Sequence, residues 1–198
     1  MGCDIHGLVE VNWYGDMDHV DDKKKWECAI ENIGSWVGRS YDTFGLLFGV
    51  RDYANFEPVA PRRGVPDNLS NRGQERIGKD KSWCHSFSYV TLAELNQVDW
   101  EATADEADSR IRVYDEEDEL RFKAAGISSL SDEEEQKIRS GDEVVKELDN
   151  GQTNKYRLEK MKKKDALSGA WKRLIDLMES FGETHGEENV RLVVWFDN

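Results

Sequence analysis

The sequence predicts an α+β fold in which an antiparallel or mixed sheet, with the N- and C-terminal strands at its centre, is packed by helices. Three observations favour this class. Side chains alternate at the start of the chain, a run near its end is apolar on both faces, and large apolar residues recur at helical spacing just before that run. With 198 residues the chain has the length of one ordinary domain, so we predict a single domain over 1–198.

The first segment, MGCDIHGLVEVNW, has the pattern of a half-buried strand. One predicted face carries Ile5, Val9, Val11 and Trp13, and the other carries Asp4, His6, Leu8, Glu10 and Asn12. Because residues two apart on a strand project from the same face, Asp4 and His6 either meet water together or line a site together. The run WECAIENI predicts a second, antiparallel strand over 26–33.

The next two segments differ in regularity. GRSYDTFGLLFGVRDY predicts a short helix that is capped by Asp42 or Thr43 and turns Phe44, Leu47 and Phe48 inward. Residues from about 56 to 83 hold all three prolines and show little periodicity. We predict a Pro/Gly-rich ordered loop or mobile flap there, since loops of such length are usually functional or disordered.

Capping patterns mark two helices in the middle of the chain. CHSFSYVTLAEL predicts an extended segment ending at Thr91, which forms a capping box with Glu94 at the start of a helix through about residue 98. Ser131 and Glu134 repeat that pattern. Residues from about 99 to 150 are predicted to form an acidic, mostly helical insertion, with a short strand over 110–114 as an option.

The last two elements have the clearest patterns. Apolar residues recur at helical spacing over 167–181, and Gly182 is placed to end that helix. The run over 190–196 is apolar enough on both faces to be a central strand paired with the first one.

Composition excludes several broad classes of function. Lys and Arg total 27 against 41 Asp and Glu, a net charge of −14, which argues against a broad nucleic-acid surface. No run of about 18 apolar residues and no signal-peptide pattern is present, so we expect a cytoplasmic protein without a membrane partner. The three cysteines, Cys3, Cys28 and Cys84, are expected to be thiols.

Histidines and a carboxylate form the candidate catalytic set of His6, His85 and Asp4. They could bind a catalytic metal with open positions, or position a water as acid and base, so the metal and any cofactor stay unknown. Cys3 and Cys84 should face away from the histidines beside them, which argues against four-ligand zinc. The alternative is that Asp4 and His6 hydrogen-bond each other or nearby backbone.

Arginines near aromatic residues and serines form a candidate ligand-binding set: Arg39, Tyr41, Arg51, Arg63, Ser86 and Ser88. Arginine suits phosphate recognition, although surface salt bridges to the many carboxylates are an equally good interpretation. His85 and the serines resemble the His-x-Ser motif of two-histidine phosphoesterases, although Ser86 and Ser88 lie one and three residues after His85 and only one copy is visible. DMDHVDD, around Asp16, Asp18 and Asp22, departs from a calcium loop and favours an acidic hairpin tip.

The segments MGCDIH, RSYDTFGLLFGVR, RRGVPDNLS, HSFSYVTLAEL and VRLVVWFDN together resemble a family of uncharacterised bacteriophage and prophage proteins that begins MGCDIH. The resemblance implies a phage origin and a location in the host cytoplasm, and it does not extend over about 99–164. It points, without assigning roles, to Asp4, His6, Arg39, Tyr41, Arg51, Gly64, Pro66, Ser70, His85 and Ser88.

These observations lead to one main functional expectation and two alternatives. We expect a phage accessory protein whose polar pocket binds a small phosphorylated or nucleotide-like ligand, under the Pro/Gly-rich flap, to counter host defence signalling. The first alternative is a hydrolase of a phosphoester or glycosidic bond that uses a metal or a His/Asp pair. The second is an acidic interaction protein or nucleic-acid mimic. Turnover and homo-oligomer formation are left open.

Overall fold

The computed structural model describes residues 2–15 and 26–198, and these form two antiparallel four-stranded sheets with packed helices. The first sheet has the order β2-β1-β8-β3 and comprises β1 (Asp4–Asn12), β2 (Trp26–Ile30), β3 (His85–Thr91) and β8 (Val190–Asp197). The second has the order β5-β4-β7-β6 and comprises β4 (Ile111–Tyr114), β5 (Leu120–Ala124), β6 (Val144–Glu147) and β7 (Thr153–Arg157). The helices are α1 (Gly34–Val37), α2 (Tyr41–Phe48), α3 (Asn71–Asp80), α4 (Leu92–Asn96), α5 (Asp132–Arg139), α6 (Lys163–Ala166) and α7 (Gly169–His185).

The predicted α+β class and the central position of the terminal strands are confirmed. Strands β1 and β8 pair antiparallel, with Asp4 opposite Asp197 and His6 opposite Trp195. β2 pairs with β1 as predicted, although it ends at Ile30 instead of residue 33. The start of the chain and the last residues of β8 therefore lie at one end of the first sheet.

Both faces of the first sheet are covered. The main core lies on the face of Ile5, Val9 and Phe196, where α2 and α7 pack. On the opposite face, Leu8 and Trp195 form a smaller core with apolar residues that include Leu69 and Ile77. The polar face of β1 therefore contacts protein around Leu8, whereas Asp4 at the start of the strand is about half exposed.

Residues 56–83 contain a helix where the sequence predicted only a loop. α3 occupies Asn71–Asp80, and its N-cap Ser70 accepts a hydrogen bond from the Gly73 N–H. This helix has only Ile77 as a buried aliphatic residue, and its other buried positions are Gly73 and Asp80. One aliphatic residue in ten gives too weak a periodicity to identify a helix.

The prediction that about 99–150 is mostly helical is wrong for the structure. Three strands of the second sheet lie in this interval, and α5 is its helix. The optional strand over 110–114 is confirmed as Ile111–Tyr114, and the capping boxes at Thr91 and Ser131 are both present. The strands have only four or five residues, and charged residues occupy much of their outer face, so no two-residue apolar period stands out.

Two predicted helix ends also differ from the structure. α2 begins after Ser40, because Thr43 is buried and donates its hydroxyl proton to the Ala166 carbonyl instead of capping. α7 continues past Gly182 to a cap at Gly186, whose φ of 89° favours glycine. In the part of the chain that the structure describes, no helix has the length and apolarity needed to span a membrane.

Candidate functional site

A polar cluster lies at the end of the first sheet where β1 begins and β8 ends. We call it the terminal site and define it by Asp4, His6, Arg39, Trp83 and Asp197. The His6 Nε2 lies 3.1 Å from Asp197 Oδ2, and the Asp4 backbone N–H donates to Asp197 Oδ1 at 3.1 Å. One carboxylate therefore fixes both the imidazole and the start of β1.

Aromatic rings hold His6 from two sides. Trp83 meets His6 edge to face, with ring centroids 5.4 Å apart, and Trp195 stacks on His6 at 6.2 Å. Trp195 is itself fixed, because its indole Nε1 donates to Asp80 Oδ2 at 3.0 Å. Trp83 is 52% exposed, whereas the side chains of His6 and Asp197 are each 23% exposed. The site thus presents an accessible indole beside a held histidine.

Arg39 pairs with Asp4 next to this histidine. The Arg39 Nε and Nη2 donate to the two carboxylate oxygens of Asp4, with Nη2 2.7 Å from Oδ2. The hydrogen bond from Arg39 lowers the pKa of Asp4, and the same contact raises the pKa of Arg39. The two side chains are 54% and 49% exposed. The alternative in which Asp4 and His6 hydrogen-bond each other is not observed, since Asp4 binds Arg39 and His6 binds Asp197.

Tyr41 and Arg51 lie at the same end of the sheet but contact Cys3, which is part of the main core. The Tyr41 hydroxyl accepts the Cys3 backbone N–H at 3.1 Å, and Arg51 Nη2 donates to Asn198 Oδ1 at 3.2 Å. Burial raises the pKa of the Cys3 thiol, and Arg51 opposes that rise. Two predicted ligand-binding residues thus border the terminal site without joining its face.

His85 lies on the opposite face of the first sheet from His6. The prediction that both histidines line one cavity is therefore wrong. His85 pairs with Phe196 and stacks on its ring at 6.5 Å, whereas His6 pairs with Trp195. The strand bulges between His85 and Ser88, where Ser86 has a φ of 52°. A bulge adds a residue and changes which side chains share a face, so simple alternation could not place His85.

Ser86, Ser88 and Arg63 make structural contacts away from the terminal site. Ser86 Oγ is 2.9 Å from His85 Nδ1, and the His85 Nε2 is buried without a partner. Ser88 is fully buried; its hydroxyl donates to the Ala60 carbonyl and accepts the Arg63 backbone N–H. The Arg63 guanidinium binds Glu94 at 2.6 Å. These contacts attach the segment before α3 to β3.

Cys84 lies beside Asp197 but is a poor nucleophile. Burial raises the pKa of its thiol to about 12, and the carboxylates of Asp80 and Asp197 act in the same direction. The thiol therefore keeps its proton at neutral pH. Within 2–15 and 26–198, no group of three or more His, Cys, Asp or Glu side chains could hold a metal ion. The calcium-like stretch around Asp16, Asp18 and Asp22 lies outside the described residues.

Sequence reasoning missed Asp197 and Trp83. Asp197 lies two residues after Trp195, on the face that the antiparallel pairing brings against Asp4 and His6. The pairing of β1 with β8 could have identified Asp197, because both terminal strands were predicted from the sequence. Trp83 lies in the turn between α3 and β3, and α3 itself was not predicted.

Comparisons with protein-family models, curated proteins and solved structures found no match. The function proposed below therefore depends on the geometry of the terminal site and on the chemistry of its residues.

Proposed function

We propose that this protein binds a small anionic, nucleotide-like ligand at the terminal site. The observation that carries the proposal is the accessible Trp83 indole, which meets a histidine held by Asp197 on the strand whose Asp4 binds Arg39. Trp83 stacks on a base or another flat ring, and Arg39 donates to a phosphate. His6 hydrogen-bonds a polar edge of the ligand.

The Arg39 pair suits an exchange of partners. Arg39 and Asp4 are about half exposed, and ion pairs of that exposure contribute little to folding. A phosphate offers the same two-point geometry as a carboxylate together with more negative charge. Breaking the contact between Asp4 and Arg39 therefore costs little free energy, so Arg39 can bind an incoming phosphate.

The proposal includes a phage origin and a role in removing a host signalling nucleotide. This part of the proposal rests on the sequence resemblance to a family of phage proteins. Asp4, His6 and Arg39 are among the residues to which the resemblance points, and all three belong to the terminal site. Cyclic mononucleotides and dinucleotides therefore belong among the ligands to be tested.

Isothermal titration calorimetry against adenine and guanine mononucleotides and cyclic nucleotides tests binding. We expect heat from at least one ligand. The Trp83→Ala variant should bind it about 5- to 150-fold more weakly, the range given by roughly 1–3 kcal/mol for stacking of one base. Trp36→Ala is the matched control, because Trp36 is 40% exposed and lies outside the site. No heat with the whole panel, or an equal loss in both variants, contradicts the proposal.

The His6–Asp197 contact favours hydrolysis of the bound phosphoester as a second candidate function. With Nε2–H donating to Asp197, the Nδ1 of His6 is the nitrogen that accepts a proton. It would take a proton from water as the water oxygen attacks phosphorus, and the ester oxygen would leave with the bond electrons and gain a proton. Chromatography of ligand recovered after denaturation separates the two functions: intact ligand indicates binding alone, and product that disappears in Asp197→Asn indicates turnover.

A further inference from the structure

A second polar cavity lies beside the second sheet, away from the terminal site. Its volume is about 420 Å³, and it is bounded by β4, β5 and the chain between β7 and α6. Four basic residues line it, Arg112, Lys123, Lys160 and Lys162, against two acidic ones, Glu159 and Asp165. We propose that this cavity is an anion site for a small phosphate-bearing molecule with at least two negative charges.

Strand register concentrates the positive charge on this face. Arg112 of β4 lies directly opposite Lys123 of β5 and Arg157 of β7, so three cations form one row across the sheet. Residues directly opposite each other share a face, and like charges in these positions destabilise a sheet. The row therefore needs negative charge against it, and the protein supplies part of that charge.

Glu159 is the main compensating group of the row. Its carboxylate accepts hydrogen bonds from Arg112 Nη1 at 2.8 Å, Arg157 Nε at 2.6 Å and the Tyr114 hydroxyl at 2.7 Å. Lys123 reaches Asp42 of α2 at 3.1 Å. The carboxylates near this row thus already accept hydrogen bonds from it, so few acceptors remain for the other donors that line the cavity.

Two donors of the lining have no acceptor among the described residues. The side chain of Arg112 is only 12% exposed, and its Nε is buried with no hydrogen-bond partner. A buried donor without an acceptor is costly, so an oxygen that reaches it gains a strong charge-assisted bond. Lys160 is exposed and makes no ion pair with any residue in the described ranges. Arg112 and Lys160 both line the cavity, so an anion there lies beside both residues.

Size and polarity limit the class of ligand. A volume of about 420 Å³ lies within the range of roughly 300–1,000 Å³ that is typical of small-molecule sites. Leu120 and the buried Met161 add an apolar wall for an organic part of the ligand. The local excess of cations also contrasts with the net charge of −14 for the chain, so a multiply charged anion meets less repulsion at this patch than the net charge alone would predict.

Calorimetry with inorganic pyrophosphate, and with inorganic phosphate for comparison, tests this site. We expect pyrophosphate to bind more tightly than phosphate, and Lys160→Ala to weaken pyrophosphate binding by about tenfold or more, the effect of one charged hydrogen bond. Lys160 makes no hydrogen bond or ion pair with the residues over 2–15 and 26–198, so its loss should not change the melting temperature. Arg112→Gln should weaken binding further. Lys79→Ala, on the exposed side of α3, is the charge-matched control and should bind as the wild type does.

The terminal-site variants Arg39→Ala and Trp83→Ala separate this proposal from the previous one. They should leave pyrophosphate binding at the cavity unchanged. Absence of pyrophosphate heat overturns the cavity proposal, as does wild-type binding by Lys160→Ala or loss of binding in Arg39→Ala alone. Nucleotide binding that depends on Trp83 and not on Lys160 would support the terminal site independently.

Discussion

Glu10 and Asp4 project from the same face of β1, and each carboxylate bonds an arginine. Glu10 is fully buried with Arg191, whose guanidinium also lies 3.8 Å over the Trp26 ring, whereas Asp4 and Arg39 are about half exposed. A buried pair holds the fold in one geometry, because either charge alone would be costly. An exposed pair can change partner. The two pairs on one strand thus differ in how strongly they hold the fold.

The buried Glu10–Arg191 pair predicts that removal of one partner strongly lowers the free energy of unfolding. Glu10→Ala should lower the free energy of unfolding by about 3–5 kcal/mol, the usual cost of leaving one buried charge without its partner. The same change removes the acceptor of the Ser70 N–H at the start of α3. Urea unfolding followed by circular dichroism measures the loss.

The control for Glu10→Ala is Glu31→Gln, which breaks an exposed pair with Arg72 and should change stability little. Replacing both buried partners, as Glu10→Leu with Arg191→Met, should recover much of the lost stability, since apolar side chains leave no buried charge. Equal losses in Glu10→Ala and Glu31→Gln would contradict a special role for the buried pair.

Cys84 predicts a pH dependence of stability in the alkaline range. Burial raises the pKa of its thiol from 9.0 to about 12, so between these values the folded state binds more protons than the unfolded state. Its contribution to stability is complete below pH 9 and is lost as pH rises towards 12. Cys84→Ala should therefore lose less stability than the wild type between about pH 8 and pH 11 in urea unfolding. Parallel losses would contradict the shift.

Single residues of the terminal site were predictable where local alternation was enough. Asp4 and His6 share a face of β1 as two-residue spacing requires, and Arg39 does reach Asp4. His85 was misplaced because the bulge at Ser86 interrupts that alternation. The position of Asp197 depends on the register between β1 and β8, whose contact at Asp4 joins residues 193 apart in the sequence. No local pattern contains that register.

Elements with strong local signals were predicted well. The capping boxes at Thr91 and Ser131 fix helix starts through hydrogen bonds within four residues of sequence, so one chain segment contains the whole signal. α3 lacks such a signal, because Ser70 is a cap without a glutamate three residues later and Ile77 is its one buried aliphatic residue. Its stability comes from packing on β1 and β8, which is a tertiary effect.

Two helical glycines predict opposite effects of the same substitution. A Cβ at Gly78 of α3 would meet nothing within 4 Å, so Gly78→Ala should stabilise the protein by about 0.5–1 kcal/mol through helix propensity. A Cβ at Gly182 of α7 would lie 2.4 Å from Leu92 Cδ2, and Leu92 is buried. Gly182→Ala should therefore destabilise by about 1–3 kcal/mol. Thermal unfolding of both variants checks this, and a gain in both would contradict the close packing of α7 on α4.

At the scale of the whole molecule, charged side chains join the two sheets. Arg110, just before β4, donates to the buried Asp108 and to Asp42 of α2, and its guanidinium lies 5.0 Å over the Tyr53 ring. Lys123 of β5 also bonds Asp42. The sequence is mostly acidic here and predicted an acidic, mostly helical insertion, because an ion pair between residues 68 apart leaves no local pattern.

This junction predicts which half of the molecule opens first when it is weakened. Arg110→Gln leaves Asp108 buried with Lys123 4.0 Å away as its nearest remaining cation, so we expect a loss near the lower end of about 3–5 kcal/mol. Native-state hydrogen exchange should then show faster exchange in β4 and β7 than in β1 and β8, because the first sheet keeps its own two cores. Glu135→Gln, which breaks an exposed pair with Arg139 on α5, is the control and should leave both sheets protected. Equal loss of protection in both sheets would mean that the molecule unfolds as one unit and that Arg110 stabilises the whole fold instead of the junction.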